Sequence, residues 1–167
     1  GPPALVGTFI ADYSTALYAA IGILAALRRR DETGRGQLVD VALLDSLVSM
    51  LMTAVPEYLM LGKTVQRQGN RARYVAPTGA FKTKDGWVQI SAGQDNLFSR
   101  LLKAMGQEGR SQDPHFANVE ARVANIEEVH AFVEAWTMQY TAEEIESILE
   151  QAEVPSSKVC TVEDLVK

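Results

Sequence analysis

The sequence predicts an α/β fold in which two buried helices and a strand precede a small α+β domain. Residues 13–27 and 44–61 carry apolar side chains at helical spacing, and residues 37–42 between them are rich in β-formers. Further along, a hairpin signal is followed by amphipathic helical patterns, and the composition shifts near residue 63. We therefore divide the chain into a first part over residues 1–62, a connector over 63–76, a small α+β domain over 77–160 and a return segment over 161–167.

The first helical stretch, from Tyr13 to Leu27, contains no charged residue. Leu17, Ile21 and Leu24 recur at helical spacing, and alanine fills many of the remaining positions. A helix that is apolar nearly all round is a buried helix. Because the uncharged run is shorter than the roughly 18 apolar residues that cross a bilayer, we expect no membrane association.

Asp12 directly precedes this stretch, and Ser14 and Thr15 lie just after Asp12. This pattern is typical of a helix start. A short strand over residues 8–11 could lead into it. One interpretation makes Asp12 an N-cap, whose carboxylate accepts a hydrogen bond from a free backbone N–H beside the positive end of the helix dipole. The alternative makes it a nucleophile, because carboxylates form covalent intermediates in enzymes. The spacing alone does not choose between them.

The second helical stretch, residues 44–61, follows a turn and the predicted strand. Asp45 stands at its start and is interpreted as a helix-start charge. Pro56 is expected to kink or break the helix, because proline has no backbone N–H to donate. Before the strand, Arg28–Arg30 suit the negative end of the first helix, and a solvated helix end is favoured over a phosphate-binding role.

The connector is basic. Between residues 63 and 74 it carries no acid, and its cationic residues are Lys63, Arg67, Arg71 and Arg73. It is interpreted either as a solvated linker or as a segment that meets an anionic ligand, and the charge pattern leaves both interpretations open.

The small domain begins with a hairpin, in which Asp85-Gly86 joins strands over 80–84 and 87–92. A helix is predicted over residues 95–105 and ends at Gly106. A second is predicted over residues 123–140, and a third follows a capping box formed by Thr141 and Glu144. A loop with a short strand over 154–160 and a helix from residue 161 follow.

The two histidines and the one cysteine offer no catalytic or metal cluster. His115 is placed on a surface turn, and His130 on a solvated face of a Glu-rich helix. Neither completes a Ser-His-Asp arrangement with its sequence neighbours. Cys160 alone makes neither a disulfide framework nor a zinc site, and we predict no metal.

The charge balance argues against nucleic-acid binding. Residues 1–75 hold eight Lys/Arg and six Asp/Glu, residues 76–167 hold eight and fifteen, and the chain has a net charge of −5. An acidic chain is a poor partner for a phosphate backbone. No targeting or lipidation signal is recognised, so a cytoplasmic location is expected.

Three blocks of the sequence together cover nearly the whole chain. The first block runs from Ile10-Ala-Asp-Tyr-Ser-Thr to Glu32-Thr-Gly-Arg-Gly-Gln-Leu-Val-Asp-Val-Ala-Leu-Leu-Asp45. The second contains Ala76-Pro77, Gly79, Phe81 and Lys84-Asp85-Gly86, and the third contains Asp113-Pro114, Phe116, Arg122 and Asn125. These blocks resemble the family III CoA-transferases, a group that includes formyl-CoA transferase, the carnitine CoA-transferases and alpha-methylacyl-CoA racemase.

The resemblance implies the fold of that family, with residues 1–62 as part of its large acyl-CoA domain, and it implies that Asp12 is the nucleophile. In the transferases the matching aspartate attacks an acyl-CoA thioester. A mixed anhydride and then an aspartyl-CoA thioester form, and a carboxylic acid collects the CoA. Coenzyme A is thus part of the substrate. The implied partners are an acyl-CoA, a carboxylic acid acceptor and a second subunit in an interlocked homodimer.

Two alternatives stay open. In the racemases of this group, the matching aspartate moves the α-proton of a 2-methylacyl-CoA beside a histidine from an upstream segment, so the same residue would serve a different reaction. In the other alternative, this chain is a non-catalytic dimerisation module, because its apolar helices need cover.

The resemblance also implies that the chain is the central part of a longer protein and that it is inactive in isolation. The family residues that hold the CoA nucleotide lie mostly upstream, so the resemblance assigns no cofactor-binding residue within this chain. Formyl-CoA transferase has a run of glycines in the connector, where this chain has Gly69-Asn-Arg-Ala-Arg-Tyr-Val-Ala-Pro77. This difference argues against formate and oxalate and leaves the acyl group and the acceptor open.

Overall fold

The computed structural model describes residues 5–166 and divides the chain into two units between Arg67 and Gln68. This boundary lies within the range assigned to the connector. The first unit contains helices α1 (Ile10–Thr33), α2 (Leu43–Ser49) and α3 (Ala54–Leu61). The elements of the second unit are, in order, β1 (Thr78–Lys82), β2 (Trp87–Ser91), α4 (Asp95–Ala104), a 3₁₀ turn (Glu108–Gln112), α5 (Val119–Ala124), α6 (Ile126–Thr137), α7 (Ala142–Gln151), β3 (Ser156–Lys158) and α8 (Val162–Val166).

Helix α1 is longer than the uncharged stretch that predicts it. Its 24 residues continue through the arginines, where Arg28 pairs with Glu32 at 2.9 Å, and it ends at Gly34. Gly34 takes the left-handed conformation (φ 69°) and donates its N–H to the Arg30 carbonyl, the usual glycine stop. By length and composition α1 could cross a membrane, and so could the bent α2–α3 pair taken as one span. Helix α1 is therefore not too short for a bilayer, contrary to the sequence-based expectation, although core helices of soluble proteins have the same character.

The predicted helix over residues 44–61 is two helices, bent by 78° at residues 50–53. Pro56 lies in the first turn of α3 and explains the break. A proline ring collides with the carbonyl four residues earlier, here that of Met52, which leaves the helical region with a φ of 40°. The chain therefore breaks one turn before the proline.

The predicted strand over residues 37–42 is wrong. Residues 35–42 form neither helix nor strand, although Ala42 has extended backbone angles (φ −102°, ψ 145°). The β-formers favour an extended chain, but a strand also needs a neighbour to complete its hydrogen bonds, and none lies among the described residues of the first unit. The short strand suggested over residues 8–11 is not formed either, because α1 begins at Ile10.

The sheet of the second unit is antiparallel, with β2 between β1 and β3. Phe81 pairs with Val88 across the hairpin, and Val88 pairs with Lys158 of β3. Phe81, Val88 and Ile90 are fully buried, as expected for a sheet with one face on the core. Helices α4, α6 and α7 supply further core side chains, which include Phe98, Leu101, Leu102, Val129, Val133, Ile145 and Leu149.

The helices of this unit follow the predicted pattern except at Asn125. Thr141 and Glu144 form the predicted capping box at the start of α7. The single helix predicted over residues 123–140 is instead split into α5 and α6. Asn125 interrupts it because its side-chain amide donates to the Ala121 carbonyl at 2.9 Å and its backbone leaves the helical region (φ −111°, ψ 34°).

Asp85 does more than close the hairpin. Its carboxylate accepts hydrogen bonds from the Ala142 backbone N–H at 2.8 Å and from the Thr83 hydroxyl at 2.9 Å. The Ala142 bond, and then the Thr83 bond, lower the pKa of Asp85. Because Ala142 begins α7, the carboxylate satisfies an N–H at a helix start that lies far away in sequence. The hairpin turn therefore fixes the position of α7.

Arg122 of α5 is buried, with 1% of its surface exposed. Its guanidinium lies 4.4 Å from the Phe98 ring centre and pairs with the Asp95 carboxylate at 2.8 Å. Its N–H groups also donate to backbone carbonyls of separate segments, those of Ala76 (2.8 Å), Gly93 (2.8 Å) and Phe116 (3.1 Å). A buried charge is tolerated when it is paired and hydrogen-bonded, so Arg122 joins these segments.

We expect this chain to self-associate in solution. Helix α1 is predicted to be buried, but within this chain its apolar side chains are exposed, among them Leu17, Ile21 and Leu24, each between 63% and 67% accessible. Large exposed apolar patches favour association. Sedimentation velocity at micromolar concentration should show oligomers, and the double variant Leu17→Ser/Leu24→Ser should shift the distribution toward monomer. A clean monomer of the unchanged chain would contradict the prediction.

Arg122→Met is expected to destabilise the second unit by about 3 kcal/mol or more, because buried carbonyls lose their donor and Asp95 its partner. Denaturant unfolding can be followed through Trp87 and Trp136, which both belong to this unit. Arg100→Met is the matched control. Arg100 pairs with Glu153 at 3.2 Å but is half exposed, so its loss should cost less than about 1 kcal/mol. If both variants lost the same free energy of unfolding, the buried contacts of Arg122 would stabilise the unit no more than the exposed ion pair of Arg100 does.

Candidate functional site

Asp12 lies inside the first turn of α1 and is not its N-cap. The helix begins at Ile10, and the flanking Phe9 offers its carbonyl to the Tyr13 N–H at 3.1 Å. The N-cap interpretation is therefore wrong by three positions, because Ile10 and Ala11 already have helical backbone. The charge of Asp12 nevertheless stays beside the helix start.

The surroundings of Asp12 leave its carboxylate available to a ligand. Asp12 is exposed, and its side chain makes no hydrogen bond or ion pair within residues 5–166. Backbone N–H groups in the first turn of a helix have no acceptor within that helix, and the helix dipole adds partial positive charge there. Negative charge is thus favoured at this position, and no cation within residues 5–166 forms an ion pair with it.

Hydroxyl groups just after Asp12 bind the first turn of α1. The Ser14 and Thr15 hydroxyls both donate to the Ala11 carbonyl, at 3.1 and 2.7 Å. Ser14 is buried, whereas Asp12 on the same turn is exposed. These bonds use the short polar side chains within their own helix, so they do not compete for the Asp12 carboxylate.

Two contacts hold helix α1 against residues 39–49: the close packing of Gly22 on Val39 and a hydrogen bond between two hydroxyl groups. A Cβ atom added at Gly22 would lie 2.7 Å from Cγ1 of Val39, so only glycine allows this spacing without a shift. Further toward the N-terminus, the Tyr18 and Ser49 hydroxyls share a hydrogen bond of 2.8 Å. These contacts orient the helix that carries Asp12.

Asp45 provides an internal comparison for Asp12. It is the third residue of α2, just as Asp12 is the third residue of α1, and both are exposed. Asp45 lines a shallow groove of about 330 Å³ between α1 and α2, together with Tyr18 and Asp40, whereas Asp12 does not line it. The two carboxylates therefore share a local position and differ in their surroundings.

Several arginines of the two cationic stretches contact other protein groups. Arg30 pairs with Asp31 at 3.1 Å on the exposed end of α1, which agrees with a solvated helix end. In the stretch assigned to the connector, Arg71 pairs with Glu127 of α6 at 2.7 Å, and Arg73 lies 5.0 Å from the Tyr74 ring centre. Arg71 is thus tied to the second unit and is not a freely solvated linker residue.

The two histidines have different environments. His115 lies at the surface as predicted, and its Nδ1 is 2.7 Å from the Glu128 carboxylate. The prediction for His130 is wrong, because it is 8% exposed and its ring stacks on Phe81 at 4.8 Å between centres. The signal was present in the sequence, since His130 follows Ile126 by four residues and shares its helix face.

No metal centre is found in the described part of the chain. Within residues 5–166 no group of three or more His, Cys, Asp or Glu side chains is arranged to hold an ion. Cys160 is exposed and not part of a disulfide there.

Comparison with known proteins identifies the family. A profile described as CoA-transferase family III matches residues 1–167. The succinyl-CoA–D-citramalate CoA-transferase of Chloroflexus aurantiacus is 35% identical over 166 residues, which cover 99% of this chain and 41% of the relative. The beta subunit of the succinyl-CoA–L-malate CoA-transferase from the same organism is 40% identical over 148 residues, 87% of this chain and 36% of the relative. The chain thus spans about two-fifths of the length of these relatives.

A solved structure agrees with this result. A CaiB/BaiF family protein from Brucella suis has a TM-score of 0.79 and 34% identity, over 99% of this chain and 44% of that one. The predicted fold class, part of a family III CoA-transferase fold, is confirmed. The chain belongs to the family III CoA-transferases.

The blocks that carry the resemblance have different roles in the structure. Arg122 of the third block donates to the Ala76 carbonyl of the second, and Asp85 of the second binds the start of α7. These two blocks therefore build the core of the second unit. The first block contains Asp12 and the segment that packs on its helix.

Proposed function

We propose that the protein to which this chain belongs transfers CoA between an acyl-CoA thioester and a carboxylic acid, with Asp12 as the attacking carboxylate. The observation that carries the proposal is the state of Asp12. It is exposed, unengaged within the described residues and beside the positive end of α1, in a chain that matches the family over its whole length.

The substrate class follows from the two relatives. Both are named for succinyl-CoA, with D-citramalate or L-malate as the other partner. Malate and citramalate are small dicarboxylic acids, so we infer a dicarboxylic acyl donor and a dicarboxylic acceptor for this protein. The absence of a glycine run over residues 69–77 supports the same choice over formate.

The proposed reaction exchanges groups at three carbonyl carbons, those of the donor, of Asp12 and of the acceptor. A carboxylate oxygen of Asp12 attacks the thioester carbonyl, the C–S bond breaks, and a mixed anhydride and CoA thiolate result. The thiolate attacks the Asp12 carbonyl of the anhydride, which releases the first carboxylate and leaves an aspartyl-CoA thioester. The acceptor carboxylate then attacks this thioester and releases CoA thiolate. The thiolate attacks the acceptor carbonyl of the new anhydride, and Asp12 leaves as a free carboxylate without consumption of water.

The position of Asp12 suits these steps. In each attack negative charge develops on a carbonyl oxygen near the side chain, and the unpaired N–H groups at the start of α1 favour negative charge there. Because no protein cation pairs with Asp12 within residues 5–166, no ion pair has to break before attack. The exposed apolar surface of α1 also supports the proposal that the active protein is a homodimer.

In the complete enzyme, Asp12→Asn should lower turnover by several orders of magnitude, because an amide oxygen is a far poorer nucleophile than a carboxylate. Its stability should change by about 1 kcal/mol or less, since only the charge at the helix start is lost. Asp45→Asn is the matched control, because it removes the same charge from the third position of a helix. Full activity in Asp12→Asn, or equal losses in both variants, would end the nucleophile assignment.

A second measurement distinguishes transfer from racemisation. With acyl-CoA and no acceptor, a transferase should accumulate an adduct on the peptide that contains Asp12, detectable by mass spectrometry and trapped by hydroxylamine. Exchange of the substrate α-proton with deuterated water, without any adduct, would instead establish a racemase in which Asp12 moves a proton.

The isolated chain of 167 residues should show no transferase turnover. It spans about two-fifths of its relatives, and the proposed reaction needs a bound CoA nucleotide as well as a nucleophile. Purified chain incubated with succinyl-CoA and malate should give no malyl-CoA by chromatography, and the complete enzyme serves as the positive control. Measurable turnover by the chain alone would show that residues 1–167 contain the whole catalytic apparatus.

A further inference from the structure

The segment Gln68–Ala72 begins the second unit and is bound along the edge of β1. The Ala72 N–H donates to the Thr78 carbonyl at 2.7 Å, and the Ala80 N–H donates to the Asn70 carbonyl at 2.9 Å. A side chain at Gly79 would collide with the Asn70 carbonyl, so glycine is needed for this approach. The edge of the sheet is thereby covered by chain that follows directly on the unit boundary.

An ion pair ties the same segment to α6. Nη1 of Arg71 lies 2.7 Å from the Glu127 carboxylate, and its Nε donates to the Gln68 carbonyl at 3.3 Å. The Arg71 side chain is 25% exposed and that of Glu127 is 80% exposed. The pair is therefore accessible to water on one side and can open without unfolding the core.

His130 lies one turn after Glu127 on the same helix, and its burial leaves a ring nitrogen without a partner. The ring stacks on Phe81 of β1, and Nε2 has no hydrogen bond although it is removed from solvent. A buried polar atom without a partner carries an energetic cost. A proton added to this ring would place a second positive charge near Arg71.

Within residues 5–166, the charged groups that act on His130 lie on α6 and on the bound segment. On α6, Glu127 and Glu134 act on it, and Glu134 also accepts the Lys82 backbone N–H at 3.3 Å. On β1, the Lys82 ammonium lies 5.6 Å from the Trp87 ring centre. Arg71 is the cation that acts on His130 from the bound segment.

We propose that His130 and the Arg71–Glu127 ion pair form an acid-sensitive latch that holds Gln68–Ala72 on the second unit. Protonation of His130 repels the Arg71 guanidinium and offers Glu127 a competing cation. The segment then leaves the β1 edge, and the covalent tether between the two units lengthens by up to five residues, roughly 3.4 Å each when extended.

The direction of the pH effect follows from burial. Desolvation, and then the charge of Arg71, lower the pKa of His130 to about 4, against the attraction of Glu127 and Glu134. Release of the segment removes the charge of Arg71 while Glu127 stays on α6, so the pKa of His130 rises toward its ordinary value of about 6.5. The latched state is therefore fully favoured above about pH 6.5 and loses its advantage as the pH falls toward 4. Arg71 lowers the pKa of Glu127, so Glu127 stays ionised over the upper part of this range, where the released ring begins to take up a proton.

Hydrogen–deuterium exchange of the complete chain, read as protection factors for peptides over 68–75, tests the latch. Opening of the segment should rise by up to about tenfold per pH unit between pH 6.5 and 4, while β2 amides stay protected. His130→Phe keeps the stack on Phe81 and should remove this pH dependence. His115→Phe, at the exposed histidine, is the matched control and should leave it unchanged. Arg71→Gln should raise the opening of the segment at neutral pH by up to about fivefold, the weight of one partly exposed ion pair.

Three outcomes would overturn the proposal. The first is protection of residues 68–75 that does not change with pH in the unchanged chain. The second is the same pH dependence in His130→Phe, which would assign the effect to another group. The third is loss of β2 protection at the same pH as the segment, which would show unfolding of the whole unit in place of local release.

Discussion

The buried guanidinium of Arg122 is the interaction on which the second unit depends. Removing a charged group from water costs free energy. Here that cost is offset because the guanidinium contacts the Phe98 ring, the Asp95 carboxylate and three backbone carbonyls. Those carbonyls belong to segments that lie far apart in sequence. The arrangement therefore specifies how the segment before β1, the turn after β2 and the loop before α5 come together, which apolar packing alone does not specify.

The first unit is governed by a different constraint, the apolar surface of α1. Its side chains are exposed around a helix whose hydrophobic character extends beyond one stripe, and Asp12 lies at its start. Any protein surface that packs on these side chains would also exclude water from the first turn of α1. In such a setting the partial charges at the helix start act more strongly on a developing anion than they do in water. Burial of α1 and activation of Asp12 are thus linked in the proposed function.

Arg71 and Arg122 show how the same residue type serves two purposes in one unit. Arg122 is fully enclosed and makes a permanent connection, whereas Arg71 pairs with a mostly exposed carboxylate and can exchange its partner. A buried histidine beside the weaker pair couples that exchange to protons. The strength of each contact follows from its solvation, because exposed ion pairs contribute little and enclosed ones resist separation.

The sequence by itself determined the elements whose causes are local. The periodicity of α1, α4 and α7, the Asp85-Gly86 hairpin and the Thr141–Glu144 capping box depend on residues a few positions apart, and the structure confirms them. The candidate nucleophile came from the residues around Asp12 and their family resemblance. Tertiary structure decided the rest: the absence of a strand over 37–42, the burial of His130 and the contacts of Arg122. A strand needs a partner strand, and burial depends on which distant segments arrive, so neither is encoded in a local pattern.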